Sequence, residues 1–138
     1  MSEAVSKPVP IPDALSEPFF AGARDRRLML QHCTSCGTWS FPLRERCPTC
    51  MKPTLEWRAA SGRGTLYTFT IFHQAMHPGF AAHVPYNVAQ IDLDEGVRMT
   101  ANVAGVDNAD LRIGMRLEAV FESPGDGVFI PKFQPAAG

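Results

Sequence analysis

All four cysteines of the chain fall in two C-x-x-C pairs, Cys33-Thr34-Ser35-Cys36 and Cys47-Pro48-Thr49-Cys50, separated by ten residues. No other feature restricts the fold as much. Each pair can sit on a tight turn that aims two thiolates at one ion, and two such turns complete a tetrahedral site. Gly37 follows the second cysteine of the first pair, where a knuckle turns through positive φ and glycine meets no steric penalty. The spacing therefore predicts that Cys33, Cys36, Cys47 and Cys50 ligate one metal; disulfides or free thiols are the alternative. Zinc is the expected ion, with iron as a substitute. Four protein ligands leave no open position for water or substrate, so the site is expected to be structural.

Composition bounds the remainder. With 138 residues, 45% of them hydrophobic, the chain can bury one ordinary core extended at one end by the metal module. It has no apolar run of membrane-spanning length, and Met1 to Pro12 lacks the basic-then-apolar order of a signal peptide. Thiolate ligands need reducing conditions, so a cytoplasmic location and no membrane association are expected. Residues 1–64 carry nine Lys/Arg against six Asp/Glu, whereas residues 65–138 carry four against eight. The C-terminal half is acidic, which disfavours a nucleic-acid partner.

Along the chain, Pro8, Pro10 and Pro12 favour an extended arm over residues 1–12. Ser16 is the expected N-cap of a short helix with Glu17 and Pro18 in its first turn and Phe19, Phe20 and Ala23 on its apolar side. Residues 28–32 read as an extended segment entering the first knuckle, and Trp39 to Phe41 as a ribbon strand between knuckles. Residues 13–60 thus form helix plus zinc ribbon. From residue 61 to 138 the period becomes two: Tyr67, Phe69 and Ile71; Ala89, Ile91 and Leu93; Val97, Met99, Ala101 and Val103; then Leu117, Ala119 and Phe121 alternate with other residues, and Val128-Phe129-Ile130 reads as a fifth strand. Asp94-Glu95-Gly96 and Gly125-Asp126-Gly127 read as hairpin turns, and residues 107–111 as one helical turn. The expected fold is mainly β: a short N-terminal helix, a zinc ribbon, then a five-stranded Greek-key barrel of the OB type. An open meander is the competitor. Phe69, Ile71, Ile91, Leu93, Met99, Val103, Leu117, Ala119 and Phe121 should point inward.

The order of C-x-x-C-G, Phe41-Pro42-Leu43-Arg44, C-P-x-C, Glu56-Trp57, Ser61-Gly62-Arg63-Gly64, Pro85-Tyr86, Asp94-Glu95-Gly96 and Asn102-Val103-Ala104-Gly105 resembles the bacterial and archaeal OB-fold proteins with a rubredoxin-like zinc ribbon, described as acyl-CoA-associated. The resemblance runs from about Phe19 to Phe133. It implies a non-catalytic subunit that binds a thiolase-like enzyme of the lipid-transfer type, or an aldolase-type acyl-CoA enzyme, in a hetero-oligomer with acyl-CoA at the shared interface.

His73, His77 and His83 share the segment Phe72 to Tyr86, which reads as a long loop. No carboxylate lies between Arg63 and Asp92 to orient an imidazole, and no cysteine remains as nucleophile, so no catalytic residue is assigned. The loop is either solvated or faces a partner, and its Met, Phe and Tyr suit an interface centre. The candidate partner contacts are His77, Phe80 and Tyr86, with Phe20 and Trp39 as further aromatic anchors. His32 reads as a strand residue. The basic residues Arg44, Arg46, Lys52, Arg58 and Arg63 around the ribbon read first as a solvated face; Arg44, Arg46 and Lys52 are the candidate contacts to CoA phosphates. Alternative functions are a single-stranded nucleic-acid module and a stand-alone acyl-CoA carrier.

Overall fold

A computed structural model describes residues 8–136. The expected arm over residues 1–12 lies partly outside the described residues; Pro8 to Pro12 has no regular structure. The helix α1 spans Glu17–Arg24 and buries Phe19, Gly22 and Ala23. Its start departs from the expectation. Ser16 holds the N-cap position but is helical in φ and ψ, and its side chain makes no cap bond. Instead the Asp13 N–H donates to Ser16 Oγ (2.9 Å) while the Ser16 N–H donates to Asp13 Oδ1 (2.8 Å), a reciprocal box that moves the capping chemistry three residues upstream.

The ribbon is a three-stranded antiparallel sheet in the order β2-β1-β3, from β1 (Met29–Cys33), β2 (Trp39–Ser40) and β3 (Leu55–Ala59). The strand β3 gives no signal in the sequence, because no residue of it is fully buried and it shows no clean alternation. The second sheet is β4 (Arg63–Phe72), β5 (Tyr86–Leu93), β6 (Arg98–Ala101), β7 (Arg116–Gly125) and β8 (Val128–Pro135), ordered β6-β5-β4-β7-β8. It curls until its edges meet. Val103 bridges Phe133 in parallel, the Ala104 N–H donates to Phe133 O (2.7 Å) and the Phe133 N–H to Asn102 O (3.0 Å). That closure excludes the open meander and protects both edges. The expected turns are present, with Gly96 at φ +94° and Gly127 at φ +70°, as is a 3-10 turn at Asn108–Asp110.

One core serves both sheets. Phe19, Leu28 and Leu30 from the helix and ribbon pack in the same cluster as Leu66, Ile91, Leu117 and Phe133 from the barrel. Among the residues expected to point inward, Ile91, Leu93, Met99, Val103 and Leu117 are buried, while Phe69, Ile71, Ala119 and Phe121 are half-buried against them. The phase at the start of β4 is a correction: the register against β5 shifts between Leu66 and Thr68, which turns Leu66 inward and leaves Tyr67 47% exposed. There the Arg98 guanidinium covers the Tyr67 ring at 3.5 Å from its centroid. Phe72, at the other end of β4, is also exposed. Among the described residues no helix is long and apolar enough to cross a membrane.

Candidate metal centre

Each C-x-x-C pair closes the same backbone turn. The Gly37 N–H donates to Cys33 O (2.9 Å) and the Met51 N–H to Cys47 O (2.8 Å), while the Cys33 and Cys47 N–H groups donate to Thr38 O and Lys52 O. Gly37 has φ +76°, as its sequence position predicts, and Met51 takes φ +65° at the matching position. A non-glycine residue there is strained, so the second knuckle depends more on whatever its sulfurs hold.

The four Sγ atoms lie within 4.8 Å of one another. Cys33 and Cys50 are 3.6 Å apart, as are Cys36 and Cys47. Those distances are far beyond a disulfide bond and close to the edge of roughly 3.8 Å of a tetrahedron whose centre lies ~2.3 Å from each sulfur. Backbone N–H groups of Cys36, Thr49 and Cys50 point at Cys33 and Cys47. The hydrogen bond with the Thr54 hydroxyl, followed by that from the Cys36 N–H, brings the Cys33 thiol down to about 5, and the Cys50 N–H lowers Cys47. At Cys50 the Lys52 N–H acts in the same direction, but burial and the neighbouring sulfurs prevail and push it up to about 11. A cluster in which some sulfurs ionise readily and the next resists because negative charge is already present is electrostatically matched to a cation.

Two residues that support the site gave no signal in the sequence. Gln31 is buried, with Oε1 accepting from the Arg44 N–H (2.8 Å) and Nε2 donating to Arg44 O (2.7 Å), so it ties β1 to the segment leading into the second knuckle. Thr54 meets Cys33 Sγ at 3.2 Å. In an alternating strand a buried amide looks like any solvent-facing glutamine.

The other candidate residues are dispersed. Arg44 is held through its backbone, Arg46 donates to Met51 O (3.2 Å) and Lys52 donates to Ser35 Oγ (3.2 Å), linking the two knuckles. Phe20 packs edge-on against Phe19, and Trp39 against His32; both are half-buried against the core. The His32 Nδ1 lies 3.5 Å from Glu56 Oε1 without hydrogen-bond geometry. His77, Phe80, Tyr86 and Phe72 form a chain of ring contacts at the β4–β5 loop, with centroids 6.2, 5.8 and 5.4 Å apart in sequence. The His77 Nδ1 accepts from the Gly79 N–H (2.9 Å), and His73 and His83 are exposed. Among the described residues the four cysteines are the one cluster of His, Cys, Asp or Glu able to hold a metal. Phe80 and Tyr86 also border a cavity of about 420 Å³ at the barrel mouth, whose floor includes Asn87. The Asn87 amide clamps Val103 from both sides, accepting from its N–H at 2.7 Å and donating to its carbonyl at 2.8 Å.

Fold and site define a zinc-ribbon protein with an OB-type barrel. The family comparison agrees. Residues 20–56 match the rubredoxin-like zinc ribbon domain of ChsH2 and residues 57–122 its C-terminal OB-fold domain. A "DUF35 domain-containing scaffold protein" of Methanocaldococcus jannaschii is 41% identical over 110 residues, covering 75% of this chain and 77% of its own. The "Benzoylsuccinyl-CoA thiolase subunit BbsA" of Thauera aromatica is 32% identical, at 75% and 73% coverage. A "Probable enoyl-CoA hydratase alpha subunit" of Thermomonospora curvata is 32% identical over 86% of this chain, which spans only 36% of that relative. The solved "Ltp2-ChsH2(DUF35) aldolase" superposes with a TM-score of 0.82 at 30% identity, over 93% of this chain and 99% of that one. The chain belongs to the ChsH2 (DUF35) family.

Proposed function

We propose that this protein is a non-catalytic accessory subunit that docks on a thiolase-like or aldolase-type acyl-CoA enzyme and helps to form or stabilise its acyl-CoA site. The observation that carries the reading is chemical. The four cysteines converge on one point, which leaves no thiol for nucleophilic work, and the three loop histidines meet no carboxylate within ion-pair distance among the described residues. Relatives named as a scaffold protein and a thiolase subunit, and the likeness to a chain of an aldolase complex, support a role beside an enzyme. In this reading Cys33, Cys36, Cys47 and Cys50 hold one zinc ion in the reducing cytoplasm, and iron fits the same geometry. That ion supplies structural cross-linking only.

The docking surface is the aromatic chain of His77, Phe80 and Tyr86, with Phe20 and Trp39 at the ribbon end. A loop whose rings already pack together offers apolar area at small entropic cost. The test mixes a purified thiolase-like partner with wild type and with Phe80→Asp. The expected result is a folded variant that neither forms the complex nor supports turnover. If Phe80→Asp binds and activates as wild type does, the loop is not the interface; if the chain alone turns over acyl-CoA, the accessory reading fails.

A further inference from the structure

A cleft of about 280 Å³ opens between the end of α1 and the first turn of the barrel, lined by Arg26, Arg27, Ser61, Gly62, Arg63 and Glu118 among others. Three guanidinium-bearing residues from two elements converge on it. Among the described residues none of the three has a carboxylate within ion-pair distance, as is also true of Arg44, Arg46 and Arg112, whereas Arg24, Arg58, Arg98 and Arg116 are paired; what sets the three apart is that they share one cleft. Arg63 acts on Asp94 only at longer range, and the carboxylate that does line the cleft, Glu118, accepts from Gln134 Nε2 (3.0 Å).

The backbone supplies a second, independent observation. The helix ends in a paired-bond motif, with the Arg27 N–H on Gly22 O (2.8 Å) and the Arg26 N–H on Ala23 O (3.0 Å), and this motif places Arg26 at φ +61°. Glycine is the residue that position favours. An arginine accepts left-handed strain there, and its guanidinium lies 5.7 Å from the Phe129 ring centroid. Cations do suit a helix C-terminus, but Arg24 already serves that end within the last turn. A charged side chain at a glycine position, beside two others left without close carboxylates, points to a ligand.

We propose that this cleft binds a phosphate or pyrophosphate group. Arg26, Arg27 and Arg63 offer planar forks suited to phosphate oxygens, and a cleft of about 280 Å³ has room for a pyrophosphate. Resting on the accessory-subunit reading, the group is the phosphate end of the acyl-CoA shared with the partner.

The experiment titrates the full-length protein with inorganic pyrophosphate, CoA and pantetheine, using calorimetry at two salt concentrations. Pyrophosphate and CoA are expected to bind and to weaken with salt, while pantetheine, which lacks the phosphates, does not bind. Arg26→Gly relieves the backbone strain, so it should melt no lower than wild type yet bind CoA roughly tenfold more weakly, the loss of a charge-assisted contact. Arg63→Gln should weaken binding similarly, and the exposed Arg112→Gln should not. The cleft is overturned if pyrophosphate and CoA do not bind, if Arg26→Gly and Arg63→Gln bind as wild type does, or if Arg112→Gln loses as much as they do. Intact partner association and turnover, in a protein whose wild type binds neither CoA nor pyrophosphate or binds them independently of Arg26 and Arg63, would remove the cleft and leave the accessory reading. Pyrophosphate binding that depends on Arg26 and Arg63, in a protein that associates with no thiolase-like enzyme, would do the reverse.

Discussion

The ribbon and the barrel are both small antiparallel sheets, yet they are held by different forces. The ribbon's strands are two to five residues long, and two of its cysteines are among its most buried side chains. The barrel's strands, four to ten residues long, close around Leu66, Ile91, Leu117 and Phe133, all at 0% exposure. Burial of side chains of that size stabilises by about 1.5–3 kcal/mol each, so the barrel needs no cross-link. The ribbon cannot collect enough such area and relies on its sulfurs. The two regions meet at Phe19, Leu28 and Leu30, which belong to the common core.

The largest expected effect is loss of the metal. Structural zinc sites contribute an apparent ~10–16 kcal/mol in small metal-dependent folds. The protein carries its own reporter, because both tryptophans, Trp39 and Trp57, lie in the ribbon sheet. Chelation, or Cys47→Ser, is expected to change tryptophan emission while amide protection in β4, β5 and β7 persists. Simultaneous loss of both signals would show that the shared core makes one cooperative unit, and the contrast between the regions would fail.

The next effect tests the junction. Leu30 and Ile91 are both fully buried in the common cluster, one on the ribbon side and one in the barrel. Truncation of either to Ala should cost about 2–5 kcal/mol, measured as a lower denaturant midpoint. Ile91→Ala should move the barrel transition with little change in tryptophan emission before unfolding. Leu30→Ala should move both signals. If Leu30→Ala moves only the ribbon, the helix and ribbon pack on the barrel without supporting it.

Much of this contrast was legible in the sequence, for reasons that follow the same division. Coordination demands particular residues at particular spacings, so Cys33, Cys36, Cys47, Cys50 and Gly37 announced the knuckles. Half-buried strands show a period of two, so Ile91, Leu93, Met99 and Leu117 announced the barrel. What lacked a signal was anything decided by partners distant in sequence. The register shift that exposes Tyr67 depends on where β4 meets β5, the amides of Gln31 and Asn87 find backbone partners 13 and 16 residues away, and Arg26, Arg27 and Arg63 converge only once helix and barrel are joined. At the helix start the chemistry was local, but two capping residues lay three positions apart and Asp13 took the role given to Ser16.

The smallest expected effect separates the regions by acid. At the β5–β6 hairpin both terminal nitrogens of the Arg116 guanidinium donate to the Asp94 carboxylate at 2.9 Å, tying that hairpin to β7. The hydrogen bonds from Arg116 hold Asp94 below the usual carboxylate value. A carboxylate depressed in the folded state stabilises the protein above its unfolded pKa of about 3.9, and that contribution disappears as pH falls through the lower folded value. The pair is exposed to solvent, so its contribution is modest and weakens with salt. Asp94→Asn should therefore be slightly less stable than wild type near neutrality, with the difference shrinking to nothing as pH drops below the folded value. Acid acts on the ribbon by another route, protonation of the thiolates that hold the ion. In an acid titration followed by tryptophan emission for the ribbon and by amide protection for the barrel, Asp94→Asn should shift the barrel transition alone. A shift of the tryptophan transition by the same amount would mean that the hairpin and the ribbon unfold together, and that the difference between coordination and burial is not preserved in how the protein comes apart.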